Sequence, residues 1–140
     1  MPRVGWPVAL NGRYRIDVRV GSLDLLLMLD TGLVDPQRRV GFEIDPALFD
    51  RLRQAGELTS FRQRKRRDAG GAWLVSEAAQ VVARLLDPTG RAPVGPTVHM
   101  DVMRGAPGVP SRVGVEFFHH LTGCRAVWEL AARLWCVEYP

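Results

Sequence analysis

A run of apolar residues from Leu25 to Leu29 ends directly in Asp30, Thr31 and Gly32. The run is short and closely bounded by turn residues, so it predicts a strand buried on both faces. A carboxylate at the end of such a strand is costly to bury unless it is hydrogen-bonded, shares its proton or takes part in catalysis. Taken alone, the tripeptide also fits an ordinary turn, because Asp and Gly are common turn residues. Asp30 nevertheless leads the candidate catalytic residues.

The segment before this run alternates strictly between apolar and polar residues, which is the pattern of a half-buried strand. Gly21 and Ser22 then interrupt it, and the two strands are predicted to form a hairpin. One face carries Tyr14, Ile16, Val18 and Val20, and the other carries Arg13, Arg15, Asp17 and Arg19.

The middle of the chain predicts one more strand and a helix. Val40 to Ile44 has the length and composition of a strand. Asp45 and Pro46 supply an N-cap and a first-turn proline, and Gly56 is placed to end the helix that they begin.

Phe61 to Leu86 predicts a long hairpin, with its turn at Asp68 to Gly71. Its second arm, Ser76 to Leu86, also fits a capped amphipathic helix, and periodicity does not decide between them. Asp87 to Pro96 is rich in proline and glycine and predicts a surface connection.

The last third of the chain predicts a weak strand over Val98 to Met103 and a loop over Gly105 to Pro110. A helical pattern then runs from Val115 to Leu121, and Gly123 ends it. Cys124 to Val137 alternates in the manner of a hairpin, although a helix through its two tryptophans also fits.

Length and composition predict one domain over residues 1–140, with 46% hydrophobic and 24% charged residues. No apolar run approaches the roughly 20 residues of a membrane span, so we expect a cytoplasmic protein without a membrane partner. Cys124 and Cys136 lack the spacing of a disulfide framework or a zinc site. His119 and His120 point about 100° apart on a helix, a poor metal pair. We expect neither metal nor cofactor.

The positive charge is concentrated in the run Arg62 to Arg67, RQRKRR, within a chain of formal net charge +4. A run of this kind usually forms a solvated face, and nucleic acid is not an expected partner. Nucleic-acid binding through this run stays a third interpretation, which predicts an affinity that falls steeply with salt.

The order of the segments resembles the retropepsin-like aspartic peptidases over most of the chain. In that family a hairpin leads to an apolar strand ending in Asp-Thr-Gly, here Leu25 to Gly32, and a glycine-bearing flap hairpin follows. A second segment then carries a glycine and opens a short helix, which matches Ser111 to Gly123. The resemblance implies a mainly β, closed-barrel acid-protease fold with one or two short helices.

The resemblance also implies the chemistry of the site. In the family, two carboxylates share one proton and activate a water between them. Because this chain has one Asp-Thr-Gly, the second Asp30 would come from another subunit. The expected enzyme is therefore a homodimeric aspartic endopeptidase. Thr31 would brace the two loops across the symmetry axis, and Gly32 would let the backbone approach the substrate.

The flap implies a mode of substrate binding. Gly70 and Gly71 would close over an extended peptide or protein substrate and add backbone hydrogen bonds to it, and Trp73 would line the pocket.

Two positions depart from the family pattern. Leu33 stands where a small residue usually follows Asp-Thr-Gly, and Arg112 replaces the first of two apolar residues before Gly114. These departures favour an alternative, a catalytically inactive dimerisation or binding module with the same fold.

Overall fold

The protein is described by a computed structural model over residues 1–9, 11–67 and 70–140. Strands dominate this part of the chain, and two short helices interrupt them. The strands are β1 (Arg3–Pro7), β2 (Arg15–Val20), β3 (Leu23–Leu29), β4 (Val40–Ile44), β5 (Thr59–Arg67), β6 (Trp73–Leu86), β7 (Pro93–Arg104), β8 (Arg112–Val113), β9 (Arg125–Glu129) and β10 (Leu134–Glu138); the helices are α1 (Pro46–Gln54) and α2 (Val115–His119).

The larger sheet has the strand order β2-β3-β8-β4-β7-β6-β5. An additional antiparallel pairing between β2 and β6 closes it into a barrel, because Val18 pairs with Leu85 and Val20 pairs with Ala83. Closure removes the free edge that β2 would otherwise expose. The predicted closed β-barrel fold with short helices is therefore confirmed, and β5 remains outside the ring as an extension of β6.

A second sheet of three strands has the order β1-β10-β9. Its β9–β10 hairpin pairs Trp128 with Trp135, so the hairpin interpretation of the C-terminal segment is confirmed and the helical one is wrong. Sequence analysis did not anticipate β1, which pairs with β10 from Arg3 to Pro7.

The barrel interior is filled by side chains from β2, β3, β4, β6 and β7 together with the apolar face of α1 and α2. The largest fully buried side chains are Trp6, Phe42, Phe49, Phe117, Ile16, Leu27, Ile44, Leu52, Leu85, Leu86, Val18 and Val20. Burial of this apolar surface is the main stabilising contribution to the fold.

Two predictions about burial on the first hairpin are wrong. Asp17 belongs to the predicted exposed face but is buried, because the indole Nε1–H of buried Trp6 donates to its Oδ2 at 3.0 Å. Leu25 to Leu29 was expected to be buried on both faces, yet Leu26 is 52% exposed. Burial along β3 alternates, with Leu27 and Leu29 buried and Leu26 exposed, so one face of the strand packs on the core.

Helix α1 begins and ends as predicted. The Asp45 side chain accepts a hydrogen bond from the Ala47 amide at 2.8 Å, Pro46 occupies the first turn, and Gly56 follows the helix with φ 73°. A positive φ is the conformation that favours glycine after a helix. In the described part of the chain, neither helix combines the length and the apolar character that crossing a bilayer requires.

Three other segments differ from at least one expectation. Ser76 to Leu86 lies entirely in β6 and pairs with both β5 and β7, so its helical interpretation is wrong. The connection predicted over Asp87 to Pro96 ends earlier, because β7 begins at Pro93. Helix α2 is shorter than its pattern indicated and ends at His119. At the predicted hairpin turn, Asp68 and Ala69 lie outside the described residues.

Candidate active site

Asp30 lies at the end of β3, immediately beside β8. The two strands are parallel, with Met28 opposite Arg112 and Leu29 opposite Val113. The Asp30 amide continues this pairing by donating to the Val113 carbonyl at 2.9 Å. The two segments identified in the sequence therefore meet at this point, although 82 positions separate Asp30 from Arg112.

The Asp30 carboxylate is held by two donors. Its Oδ1 accepts from the Gly32 amide at 2.9 Å, and its Oδ2 accepts from the Arg112 guanidinium at 2.6 Å. The side chain keeps 19% of its surface exposed. A carboxylate offers about four lone-pair positions, so roughly two remain for a water or another carboxyl group.

Arg112 bridges two carboxylates. One nitrogen of its guanidinium donates to Asp30, and another donates to Glu43 Oε1 at 2.6 Å. Burial lowers the pKa of Arg112, but the hydrogen bonds and charges of Glu43 and then Asp30 outweigh that effect and raise it. The guanidinium therefore stays charged, and its rigid fork fixes the position of the Asp30 carboxylate.

Sequence analysis missed Glu43 and the contact that Arg112 makes with Asp30. Glu43 lies on β4 opposite Arg112, and its side chain is only 3% exposed. A glutamate inside the otherwise apolar strand Val40–Ile44 was the available signal, because a buried carboxylate requires a charged or hydrogen-bonding partner.

Gly114 lets the loop after Asp30 pack closely on the start of α2. A Cβ atom at this position would lie 2.5 Å from the Leu33 carbonyl oxygen. The Gly114 amide also donates to the Gly41 carbonyl at 2.9 Å. Leu33, the larger residue after Asp-Thr-Gly, is accommodated by packing with Val40 and Met103. The departure at Leu33 therefore leaves Asp30 in place.

Asp35 organises the rest of this loop. Its carboxylate accepts from the amides of Gln37, Arg39 and Val40 at 3.2, 2.8 and 3.0 Å. The Arg64 guanidinium donates to the same carboxylate. Burial raises the pKa of Asp35, but these amides and the Arg64 charge outweigh burial and lower it. The loop is thus fixed around an ionised carboxylate.

Two arginines of the basic run do not lie on the solvated face that was expected of the run. Arg62 and Arg64 are only 30% and 17% exposed, and they pair with the buried carboxylates Asp101 and Asp35. The expectation is therefore wrong for these two arginines. Alternation along β5 turns them to one face of the strand, where both carboxylates lie.

Two cavities, each of about 230 Å³, flank the Asp-Thr-Gly loop. The first lies beside Thr31 and is walled by Tyr14, Trp128 and Trp135, with the Trp128 indole donating to the Tyr14 hydroxyl at 2.7 Å. The second lies beside Gly32 and is lined by Val34, Met103, Arg64 and Lys65, among others. The loop is therefore bordered by an aromatic cavity and a partly basic one.

The structure brings Asp30, Thr31 and Gly32 together, as their adjacency requires. Gly70, Gly71 and Trp73 lie at the far end of the β5–β6 hairpin, where Trp73 is 63% exposed. None of these three residues lines either cavity. Their role in substrate binding stays a prediction.

Comparison with known proteins identifies the fold. The structure is similar to the crystal structure of a retropepsin-like aspartic protease from Rickettsia conorii, with a TM-score of 0.65 and 13% sequence identity. The similarity covers 99% of this chain and 91% of that one. No family model matches the sequence, and no curated protein matches it. The chain therefore has a mainly β, retropepsin-like fold.

Proposed function

We propose that the chain is an aspartic endopeptidase that acts as a homodimer. The observation that carries this proposal is the position of Asp30, partly exposed at the end of a core strand and held by Gly32 and Arg112 in a retropepsin-like fold. A carboxylate within hydrogen-bonding reach of a water can act as a general base towards it.

The dimer follows from the chemistry. Two carboxylates a few ångströms apart cannot both ionise, so one serves as base and the other, protonated, as acid. One Asp30 per chain supplies half of this pair. A two-fold axis between two Asp-Thr-Gly loops would supply the other half, with each surface meeting its own equivalent.

The ionised Asp30 would take a proton from the attacking water. The protonated Asp30 would donate a hydrogen bond to the carbonyl oxygen of the scissile bond as negative charge develops there. The Arg112 guanidinium lies 2.6 Å from Asp30 Oδ2, so it adds a fixed positive charge beside the reacting atoms. Such a charge stabilises a developing oxyanion.

An extended peptide is the substrate that suits this surface. The two cavities beside Thr31 and Gly32 would take side chains on either side of the scissile bond. Gly70, Gly71 and Trp73 would close over the peptide as a flap, adding strand-like hydrogen bonds.

The test of the proposed function is the variant Asp30→Asn. It keeps the shape of the side chain and removes the base, so hydrolysis of an unfolded protein substrate should disappear while the mass in solution is unchanged. Asp24→Asn is the matched control, because Asp24 also pairs with an arginine, Arg19, but lies on the exposed side of β3. Cleavage by Asp30→Asn at the wild-type rate would rule out the proposal.

A second candidate function is supported by Arg112 itself. Because the guanidinium already neutralises Asp30, the same fold could serve as a dimerisation or binding module without catalysis. That module would form dimers through the same face but hydrolyse no peptide at any pH, and Asp30→Asn would then change no hydrolytic activity.

A further inference from the structure

A third cavity, of about 330 Å³, lies among β5, β6, β7, the loop before β4 and the end of α2, and Asp30 does not line it. Its volume is within the range of about 300–1,000 Å³ that is typical of small-molecule sites. We call it the basic cavity. Its charged and titratable lining is Arg38, Arg39, Arg62, His99, Asp101 and His120.

Two of its arginines, Arg38 and Arg39, stand on a backbone fixed by Asp35, and the backbone is strained at Arg38. Arg38 has φ 57°, a left-handed conformation that side chains other than glycine rarely adopt. Its amide donates to the Asp35 carbonyl at 2.9 Å, and the next amide, of Arg39, donates to the Asp35 carboxylate at 2.8 Å. Strain of this kind persists where surrounding contacts hold it, and it is concentrated at binding sites.

The third arginine reaches the cavity from β5. A register shift between Thr59 and Arg62, with Ser60 at φ 54°, marks an irregularity in β5 just before Arg62. Bulges of this kind re-aim side chains next to functional sites. The Arg62 Nε lies 3.3 Å from Asp101 Oδ2.

Asp101 supplies a buried acceptor without a hydrogen-bond donor. Its side chain is 4% exposed, and among the described residues its Oδ2 has no hydrogen-bond partner despite the nearby Arg62 charge. Burial raises the pKa of Asp101 and outweighs the opposing charges of the arginines around it. A buried carboxylate with an unsatisfied oxygen calls for a structural explanation, and a donor bound in the adjacent cavity would supply one.

Two histidines border the same cavity. His99 lies two positions before Asp101 on β7, so the two side chains share one face of the sheet. The His120 Nδ1 lies 2.8 Å from the Glu116 carbonyl oxygen and donates to it, which leaves Nε2 for another partner.

We propose that the basic cavity binds a small organic phosphate, with its phosphate held by the guanidinium groups of Arg38, Arg39 and Arg62. A hydroxyl group of the same ligand donates to the Asp101 carboxylate. Guanidinium groups bind phosphate through paired, charge-assisted hydrogen bonds, which suits a concave site with three of them. This inference is independent of the proposed peptidase activity.

The shape of the site favours a small ligand over a nucleic acid. Nucleic-acid binding relies on cations spread along an extended surface. Here the three arginines converge on one concavity, and Arg62 is additionally tied to a buried carboxylate.

The test is calorimetric titration of the whole protein with ribose 5-phosphate, ribose and inorganic phosphate at one fixed ionic strength. Ribose 5-phosphate should bind, inorganic phosphate should bind more weakly, and ribose should not bind. The double variant Arg38→Gln/Arg39→Gln should weaken ribose 5-phosphate binding at least tenfold. Its matched control is Arg15→Gln/Arg51→Gln, which removes the same charge from two exposed positions outside the cavity.

A second variant, Asp101→Ala, tests the hydroxyl contact. It should abolish the preference for ribose 5-phosphate over inorganic phosphate, and thermal unfolding would verify that each variant is folded. The proposal is overturned if ribose 5-phosphate does not bind, or if the control double variant loses as much affinity as the cavity variant. Tighter binding of an RNA oligonucleotide than of ribose 5-phosphate, abolished in the same cavity variant, would equally overturn it.

Discussion

The Arg112 guanidinium donates to the Asp30 carboxylate at 2.6 Å, and the same group donates to Glu43 at 2.6 Å. One cation thus joins a partly exposed carboxylate to a buried one. Breaking a buried ion pair by removing one partner is costly, whereas removing both partners often is not. The consequences of this bridge can be measured separately for stability and for catalysis.

Replacement of Arg112 by leucine removes the charge that faces the buried Glu43. We expect the free energy of unfolding to fall by about 3–5 kcal/mol, the usual cost of leaving one member of a buried pair behind. The double variant Arg112→Leu/Glu43→Gln should recover a large part of this loss. Chemical denaturation of both variants and of Glu43→Gln would complete the cycle, and additive losses would contradict the bridge.

Arg112→Lys keeps the positive charge at this position and removes the planar, forked geometry of the guanidinium. A lysine ammonium lacks the planar geometry that reaches both carboxylates at once. We expect kcat for peptide hydrolysis to fall at least tenfold, with KM nearly unchanged, because the Asp30 carboxylate loses its fixed position. An unaltered kcat would mean that Arg112 does not position Asp30.

Gly114 should tolerate no side chain. In Gly114→Ala the new Cβ would press on the Leu33 carbonyl oxygen, and the loop that follows Asp30 would have to move. We expect a loss of about 1–3 kcal/mol in stability, the usual cost of overpacking, together with a loss of activity. Gly90→Ala is the control, since nothing lies within 4 Å of its Cβ position. Equal stability of the two variants by thermal unfolding would contradict the packing described above.

Asp35 and Asp101 should affect the pH dependence of stability in opposite directions. The pKa of Asp35 is lowered in the folded protein, so its contribution is present above the pKa of the unfolded chain and is lost as pH falls through the folded value. The pKa of Asp101 is raised, chiefly by burial, so its contribution is fully present below the pKa of the unfolded chain and is lost as pH rises through the folded value.

Thermal unfolding between about pH 3 and pH 7 measures both effects. As pH rises, the Tm of Asp35→Asn should fall further below that of the wild type, and the Tm of Asp101→Asn should rise relative to it. Parallel curves for the two variants would show that their environments do not differ in this way.

The aromatic cavity beside Thr31 should influence substrate preference. Trp128 is 57% exposed, and its ring stands edge-on to Tyr14 at 6.3 Å. Trp128→Ala removes one wall of the cavity, so we expect kcat/KM to fall up to about tenfold for peptides with an aromatic residue beside the scissile bond, since an aromatic pair is worth about 0.5–1.5 kcal/mol beyond its area burial. Peptides with alanine there should be cleaved at the wild-type rate. Equal effects on both peptides would remove this cavity from the substrate-binding site.

Local patterns in the sequence predicted much of the fold. Strict alternation located β2, and Asp45, Pro46 and Gly56 marked the limits of α1. The family resemblance singled out the Asp-Thr-Gly segment and the glycine-bearing second segment, which the structure brings together. These features depend on residues that are close in sequence, so a single chain displays them.

The remaining features depend on contacts between distant residues. The Trp6 indole donates to the buried Asp17 carboxylate, and Arg112 donates to Glu43 on another strand. No local sequence pattern links the residues of either pair. The orientation of Arg62 onto Asp101 depends on a register shift in β5 that composition does not reveal. Burial and ion pairing at these positions are set by tertiary structure, which overrides local periodicity.

The most direct test of the central claim is the stoichiometry of a statine-containing peptide bound to the protein. Such a peptide mimics the tetrahedral transition state and binds tightly only where two carboxylates face it together. Calorimetry should give about one peptide per two chains, because a homodimer has a single site. No such binding should occur with Asp30→Asn. One peptide per chain, with the protein monomeric by mass, would contradict a site built from two copies of Asp30.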